Sequence, residues 1–193
     1  TVTQTTTIKA IAGAPGYTTS AVASATYTIQ VATPTFSVPA GTYSQPRSVA
    51  LGDTTSGATI YYTTDGSTPT TSSAAYTGAI AVTQTTTIKA MAANPGMANS
   101  TVATATYTLQ AATPTFSPPA GSYLLPQLVS ISDSSPGVTI YYTTDGSTPT
   151  TSSPQYTGPI LVVLTTTIKA IAVAPGWSQS PVGSATYRGL LGL

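Results

Sequence analysis

The hexapeptide Thr-Thr-Thr-Ile-Lys-Ala begins at Thr5, returns at Thr85 and returns again at Thr165, so the chain repeats itself every 80 residues. A ten-residue string runs from Tyr61 to Thr70 and recurs unchanged from Tyr141 to Thr150, and Ala-Thr-Tyr begins at Ala25, Ala105 and Ala185. Such a period is too long for one rung of a solenoid and suits a small domain with its own core. The repeat predicts three parts: the C-terminal half of a sandwich at 1–30, a complete one at 31–110 and another at 111–193.

Within a repeat, Ser48–Leu51, Thr59–Thr63, Ala79–Val82, Thr85–Ala92 and Val102–Leu109 read as strands between clusters of Gly, Pro, Asn and Asp. No stretch has helical periodicity. Alternation predicts that Ile60 and Tyr62, then Thr86, Ile88, Ala90 and Ala92, then Ala103, Ala105, Tyr107 and Leu109 face inward, with Lys89 toward solvent. Short strands with one apolar face and regular turns predict an all-β fold of tandem immunoglobulin-like or fibronectin III-like β-sandwiches. The connection Thr108–Pro114 is too short for a loose tether, so a fairly stiff array is expected.

Composition narrows the function. Lys9, Arg47, Lys89, Lys169 and Arg188 stand against Asp53, Asp65, Asp133 and Asp145, a net charge of +1 in a chain that is 5% charged. No basic face exists to attract nucleic acid. The polarity comes from Thr and Ser, and cysteine is absent, which excludes a disulfide framework and thiolate chemistry. No apolar run reaches the length of a membrane helix. The chain starts at Thr1, which points to a processed or partial product with any secretion signal upstream.

Catalysis has little to work with. There is no His and no Glu, and Asp53 and Asp65 flank a hairpin that sets them on the order of 20 Å or more apart. Asp65-Gly66 and Asp145-Gly146 read as tight turns, with Pro69 and Pro149 stopping the next strand. A weak calcium site of Asp plus carbonyls is the sharper alternative, but calcium usually takes several carboxylates, so neither a metal nor a cofactor is expected. Thr85 and Thr87 suggest an ice-binding row, but each repeat supplies only one rung, and strand propensity explains them. Asn99-Ser100-Thr101 fits a glycosylation acceptor that Thr19 and Gln179 do not repeat.

Ala32–Phe36, Gly57–Pro69, Tyr76–Gly78 and Thr85–Ala90 together resemble the C-terminal domain family of chitobiase and beta-hexosaminidase, and the resemblance covers nearly the whole chain. Its members are similar to fibronectin III and immunoglobulin sandwiches and occur in bacterial secreted and surface proteins, often beside glycoside hydrolase domains. The resemblance implies an accessory or spacer role and brings no catalytic residues with it. The departures are the absent front half of the first repeat and the ending Arg188–Leu193, where the repeat would place Thr-Leu-Gln.

Two features point to contact surfaces. Tyr17, Met97 and Trp177 end equivalent Pro-Gly turns, where they either cap the sandwich or stack on a sugar ring; Met97 is a poor platform and favours capping. The last repeat also turns apolar: Ser44 becomes Leu124, Gln45 becomes Leu125, Thr83 becomes Val163, Gln84 becomes Leu164, and Leu190, Leu191 and Leu193 close the chain. Either the Leu-rich tail covers this patch or another chain does. The half-repeat Thr1–Gln30 would leave an open sheet edge, completed by upstream residues or by strands from a neighbouring copy.

The leading expectation is a non-catalytic stalk, adhesin segment or filament subunit, secreted or at the cell surface, with itself as partner. A carbohydrate-binding or spacer segment of a secreted glycoside hydrolase is the alternative, with Trp177 and Tyr17 stacking on polysaccharide.

Overall fold

Threonine, valine, isoleucine and tyrosine fit the pleated surface of a sheet, and the segments rich in them form strands. The computed structural model describes residues 1–124 and 126–189; among them every regular element is a strand. Leu125, Leu190, Leu191 and Leu193 lie outside the described residues. The first strands are β1 (Thr6–Ala10) and β2 (Ala23–Tyr27). The middle repeat adds β3 (Thr35–Phe36), β4 (Gly41–Tyr43), β5 (Arg47–Val49), β6 (Leu51–Gly52), β7 (Thr59–Thr63), β8 (Ala74–Ala75), β9 (Ile80–Val82), β10 (Thr86–Ala93) and β11 (Ala103–Leu109). The last adds β12 (Thr115–Ser117), β13 (Gly121–Tyr123), β14 (Gln127–Ser132), β15 (Thr139–Thr143), β16 (Ile160–Val162), β17 (Thr166–Val173) and β18 (Gly183–Gly189). The fold class is all-β, built of tandem immunoglobulin/fibronectin III-like sandwiches.

The chain divides into two compact units. The first comprises Thr1–Ala40, Ser48–Ala81 and Thr86–Thr106; the second comprises Gly41–Arg47, Val82–Thr85 and the chain from Tyr107 onward.

The second unit holds a full sandwich. One sheet has the order β12-β14-β16 and the other β13-β18-β17-β15. Between them lie Val129, Ile131, Val162, Ile168, Ala170, Ala185 and Tyr187, with Phe116, Tyr123, Ile140 and Tyr142 packed against them. The pair β13–β18 is parallel, with Gly121 opposite Tyr187. Tyr187 is fully buried and donates its hydroxyl to Pro118 O at 2.7 Å, so its one polar atom is satisfied. Strand β14 changes partner midway: Ser130 to Ser132 pair with β12, and Gln127 to Val129 pair with β16. One strand thereby ties two short ones into a sheet.

In the first unit β10 pairs with β7, which pairs with β8, and β3 pairs with β6. The predicted single strand Ser48–Leu51 is interrupted at Ala50, leaving β5 and β6. Ser37 occupies both backbone groups of Ala50: its amide donates to Ala50 O at 2.9 Å, and its Oγ accepts from Ala50 N at 2.8 Å. The inward positions Ile60, Ile88, Ala90, Ala92 and Ala105 are buried, as are Tyr107 and Leu109 of the second unit, while Tyr62, Thr86 and Ala103 are half-buried. Lys89, expected toward solvent, is half-buried too. Met91 and Ile171 are buried on the opposite face, so β10 and β17 are covered on both sides.

Strands β1 and β2 pair in the register of β17 and β18, but every residue in them is exposed. Ile8 is 47% exposed where Ile88 and Ile168 are 0%.

Candidate interaction surfaces

The aspartates are used by their own turns. Asp65 Oδ1 accepts the Ser67 amide at 2.9 Å and the Ser67 hydroxyl at 2.6 Å, and Gly66 supplies a φ of 79°. Asp145, Gly146 and Ser147 repeat the arrangement at 2.9 Å and 2.6 Å. The Ser67 hydroxyl, and then its amide, hold the Asp65 carboxyl below its ordinary value of 3.8; Ser147 does the same for Asp145. Asp53 and Asp133 each accept a backbone amide two residues on, at 2.6 Å. Among the described residues no three His, Cys, Asp or Glu side chains come together as metal ligands. Nor is any helix there long and apolar enough to cross a membrane.

Hydroxyl groups are also spent within the fold. Thr87 Oγ1 bonds Thr106 Oγ1 at 3.0 Å across the strands, and Thr7 with Thr26 and Thr167 with Thr186 do so at 2.9 Å. Thr85 Oγ1 instead accepts the Leu109 amide at 3.1 Å. Ser100, in the glycosylation motif, is buried; its Oγ accepts Ala92 N at 2.8 Å and donates to Thr101 O at 2.8 Å.

The three Pro-Gly turns share one conformation. Tyr17 N donates to Ala14 O at 3.1 Å, Met97 N to Asn94 O at 3.1 Å and Trp177 N to Ala174 O at 3.2 Å, with Gly16, Gly96 and Gly176 at φ of 83°, 83° and 74°. Their surroundings differ. In the second unit Thr85 N donates to Gly176 O at 3.0 Å, Ser178 N to Leu109 O at 2.7 Å and Ala111 N to Ser178 O at 3.1 Å. The indole Nε1 of the half-buried Trp177 donates to Thr83 O at 2.9 Å, and Gln110 Nε2 to Gln179 O at 3.1 Å. In the first unit the same joint forms one repeat earlier: Thr5 N donates to Gly96 O at 2.9 Å, Ala98 N to Ile29 O at 2.8 Å and Val31 N to Ala98 O at 3.0 Å.

Packing at the glycines shows the same division. A Cβ on Gly96 would lie 2.8 Å from Gln4 Cδ, and one on Gly176 would lie 2.8 Å from Gln84 Cβ, whereas one on Gly16 would meet nothing within 4 Å. Tyr17 is 81% exposed. Of the three residues singled out at the turns, Met97 and Trp177 therefore belong to half-buried joints between consecutive repeats, and Tyr17 stands open. Gln4 with Thr5 and Gln84 with Thr85 complete the joints; in the sequence Gln84 stood out only as the position that becomes Leu164 and Thr85 only as a strand threonine, neither as part of a joint.

The apolar positions of the last repeat lie at the surface. Leu124, Val163 and Leu164 are exposed, Leu164 at 73%. Two residues missed from sequence join them: Leu128 and Leu161, 61% and 59% exposed, are direct partners across β14 and β16. The middle repeat has Ser48 and Ala81 in their places, so the same comparison of repeats carried the signal. A further feature recurs in both complete repeats: a groove lined by Tyr61, Thr71, Pro95 and Met97, and its counterpart lined by Tyr141, Ala174 and Pro175.

A family model described as chitobiase/beta-hexosaminidase C-terminal domain matches residues 38–104 and again residues 118–184. No curated protein matches the chain. Among solved structures, the chain is similar to fibronectin(III)-like modules of CbhA from Clostridium thermocellum, at 18% identity over 81% of this chain and 94% of that one, with a TM-score of 0.27. It is similar to domains 7, 8 and 9 of the S-layer protein SbsC at 16% identity, covering 100% of this chain and 73% of that one, with a TM-score of 0.29. Murine CEACAM1b matches at 10% identity over 84% of this chain and 99% of its own, with a TM-score of 0.28.

Proposed function

Since this chain belongs to the chitobiase/beta-hexosaminidase C-terminal domain family, we propose that it is a non-catalytic structural segment of a secreted or cell-surface protein: a stalk, adhesin segment or filament subunit. The observation that carries this reading is the joint made twice with the same atoms, Thr5 N to Gly96 O and Thr85 N to Gly176 O. A protein that spends its repeated contacts on joining one copy of a module to the next is organised to span distance. The supply of side chains agrees, since no His or Glu is present and Asp65 and Asp145 are engaged in their own turns.

A second reading, a carbohydrate-binding or spacer segment of a secreted glycoside hydrolase, is favoured by the recurring groove beside Tyr61 and Tyr141 and by the open ring of Tyr17. Immunogold labelling of native cells combined with retention on insoluble chitin and cellulose separates the two. The structural reading expects surface or extracellular label and no retention. Intracellular label overturns it, and retention abolished by Tyr17→Ala or Tyr141→Ala replaces it with the second.

A further inference from the structure

The groove beside Tyr61 and its counterpart beside Tyr141 have the size of small-ligand sites, 430 Å³ and 330 Å³, but they differ in what lines them. Val173, Ala174 and Pro175 make the wall of the last-repeat groove aliphatic. The middle repeat has Asn94 where the last has Ala174, and it adds Thr71 and Asn99 to Thr59 and Met97. No charged side chain lines either groove among the described residues.

The polar groups of the middle groove are left unspent by a fold that uses its hydroxyls close by. Ser73 Oγ accepts Thr70 N at 2.9 Å, and Thr70 Oγ1 accepts Ser72 N at 3.2 Å, so both are bound within the turn that carries Thr71. The side chains of Thr59, Thr71 and Asn99 have no hydrogen-bond partner among the described residues. Two of the groups are nonetheless held in place. Asn94 Nδ2 donates to Ser56 O at 2.9 Å, which fixes that amide and leaves its Oδ1 as an acceptor. Gln30 Nε2 donates to Asn99 O at 3.0 Å, which anchors the backbone under the Asn99 side chain.

We propose that the middle-repeat groove is a binding site for a neutral pyranose chain, with the Tyr61 ring as platform and Thr71, Asn94 and Asn99 as partners of its hydroxyls. The proposal deepens the adhesin form of the structural reading above and rests on it. One open groove binds too weakly to hold the chain on an insoluble polymer, so the absence of retention expected above is unchanged.

A pyranose presents an apolar face of C–H bonds ringed by hydroxyls that both donate and accept. The half-buried Tyr61 ring covers the apolar face. Hydroxyl and amide side chains, which also donate and accept, answer the hydroxyls. With no charge in the lining, nothing offsets the desolvation of a uronate or a phosphate, so the uncharged chain is the one that fits. Beside Tyr141 the same sugar hydroxyls would be desolvated against Val173, Ala174 and Pro175, and that penalty turns the sugar away.

The test is a titration of the isotopically labelled full chain with soluble hexasaccharides of glucose, xylose, mannose, galactose and N-acetylglucosamine, followed by NMR to high millimolar concentration. At least one sugar is expected to give saturable shifts at the Asn99 side-chain amide and the Met97 methyl, with none around Tyr141. Thr71→Ala and Asn99→Ala, both at exposed positions, are each expected to weaken binding by about threefold to tenfold. Tyr61→Ala weakens it by about tenfold or more, while Tyr61→Phe, which keeps the platform, restores it. No saturable shift with any of the sugars overturns the proposal and leaves the surface-labelling result for the structural reading intact; saturable shifts together with intracellular label overturn that reading and keep the groove. Equal shifts around Tyr61 and Tyr141 overturn the role given to the polar lining. Shifts with a prolyl hexapeptide and none with the sugars overturn the proposal in favour of a peptide groove.

Discussion

The indole N–H of Trp177 reaches the backbone carbonyl of Thr83, ninety-four positions earlier in the chain, at 2.9 Å. Trp177 is the one tryptophan of the protein, so its fluorescence reports on this joint alone. Trp177→Phe keeps a ring and removes the hydrogen bond, with an expected loss of about 1 kcal/mol; Trp177→Ala removes both and costs about 1–3 kcal/mol, read from urea midpoints. In the parent protein, Gln84→Gly opens the packing beside Gly176 and is expected to shift the emission to longer wavelength. An unchanged spectrum would mean that the ring is held by something other than this seat.

Gly16 and Gly176 have the same φ within about 10° and opposite surroundings, which makes them a matched pair. Alanine at either position meets the backbone strain of the left-handed region, about 1 kcal/mol. At 176 the added methyl also falls 2.8 Å from Gln84 Cβ, where at 16 it meets nothing within 4 Å. Gly176→Ala should therefore destabilise by at least about 1 kcal/mol more than Gly16→Ala in denaturant titrations. Equal costs would show that the seat yields without penalty.

Asp65 and Asp145 have carboxyls held below their ordinary value of 3.8 by the hydroxyl and amide of the serine two residues on. Because the folded carboxyl is the stronger acid, this contribution is complete above the unfolded value and fades as pH falls through the depressed one. Ser67→Ala with Ser147→Ala should raise both carboxyl titrations, monitored by carbon-detected NMR below pH 5. The sequence of the turn stays otherwise intact, so titrations that do not move would assign the depression to the amides.

Tyr107 and Tyr187 are fully buried, and burial first, then the neighbouring Tyr43 or Tyr123, raises each phenol above its ordinary value of 10.0. The native state favours the neutral phenol, so its contribution to stability is present below pH 10 and declines as pH rises through the raised values. Of the 12 tyrosines, these two should ionise last in an absorbance titration at alkaline pH, close to the loss of the folded signal. Tyr187→Phe, which strands the Pro118 carbonyl, should cost about 1–2 kcal/mol and remove one late-titrating group.

Local patterning was legible where a strand has one buried face. The alternation of Ile88, Ala90 and Ala92 with Thr87 and Lys89 comes from the two-residue period of a strand, and burial tracks it. Met91 escaped that logic because a strand covered on both sides loses its alternation. The break at Ala50 was not readable either, since it depends on Ser37, which becomes a partner only once the sheet is assembled. At the surface, Leu124, Val163 and Leu164 emerged from comparing repeats, and Leu128 and Leu161 were present in that comparison but overlooked. The joint was hidden for a different reason. Its main bonds run from backbone to backbone, and a main-chain amide leaves no mark in the identity of a residue.

That anonymity has an evolutionary reading. The bonds from Thr5 to Gly96 and from Thr85 to Gly176 depend on chain path, so any unit that keeps the path presents the same socket and plug. Repeats can then diverge in side chains, as the second and third have, while a junction held by main-chain bonds keeps its fit.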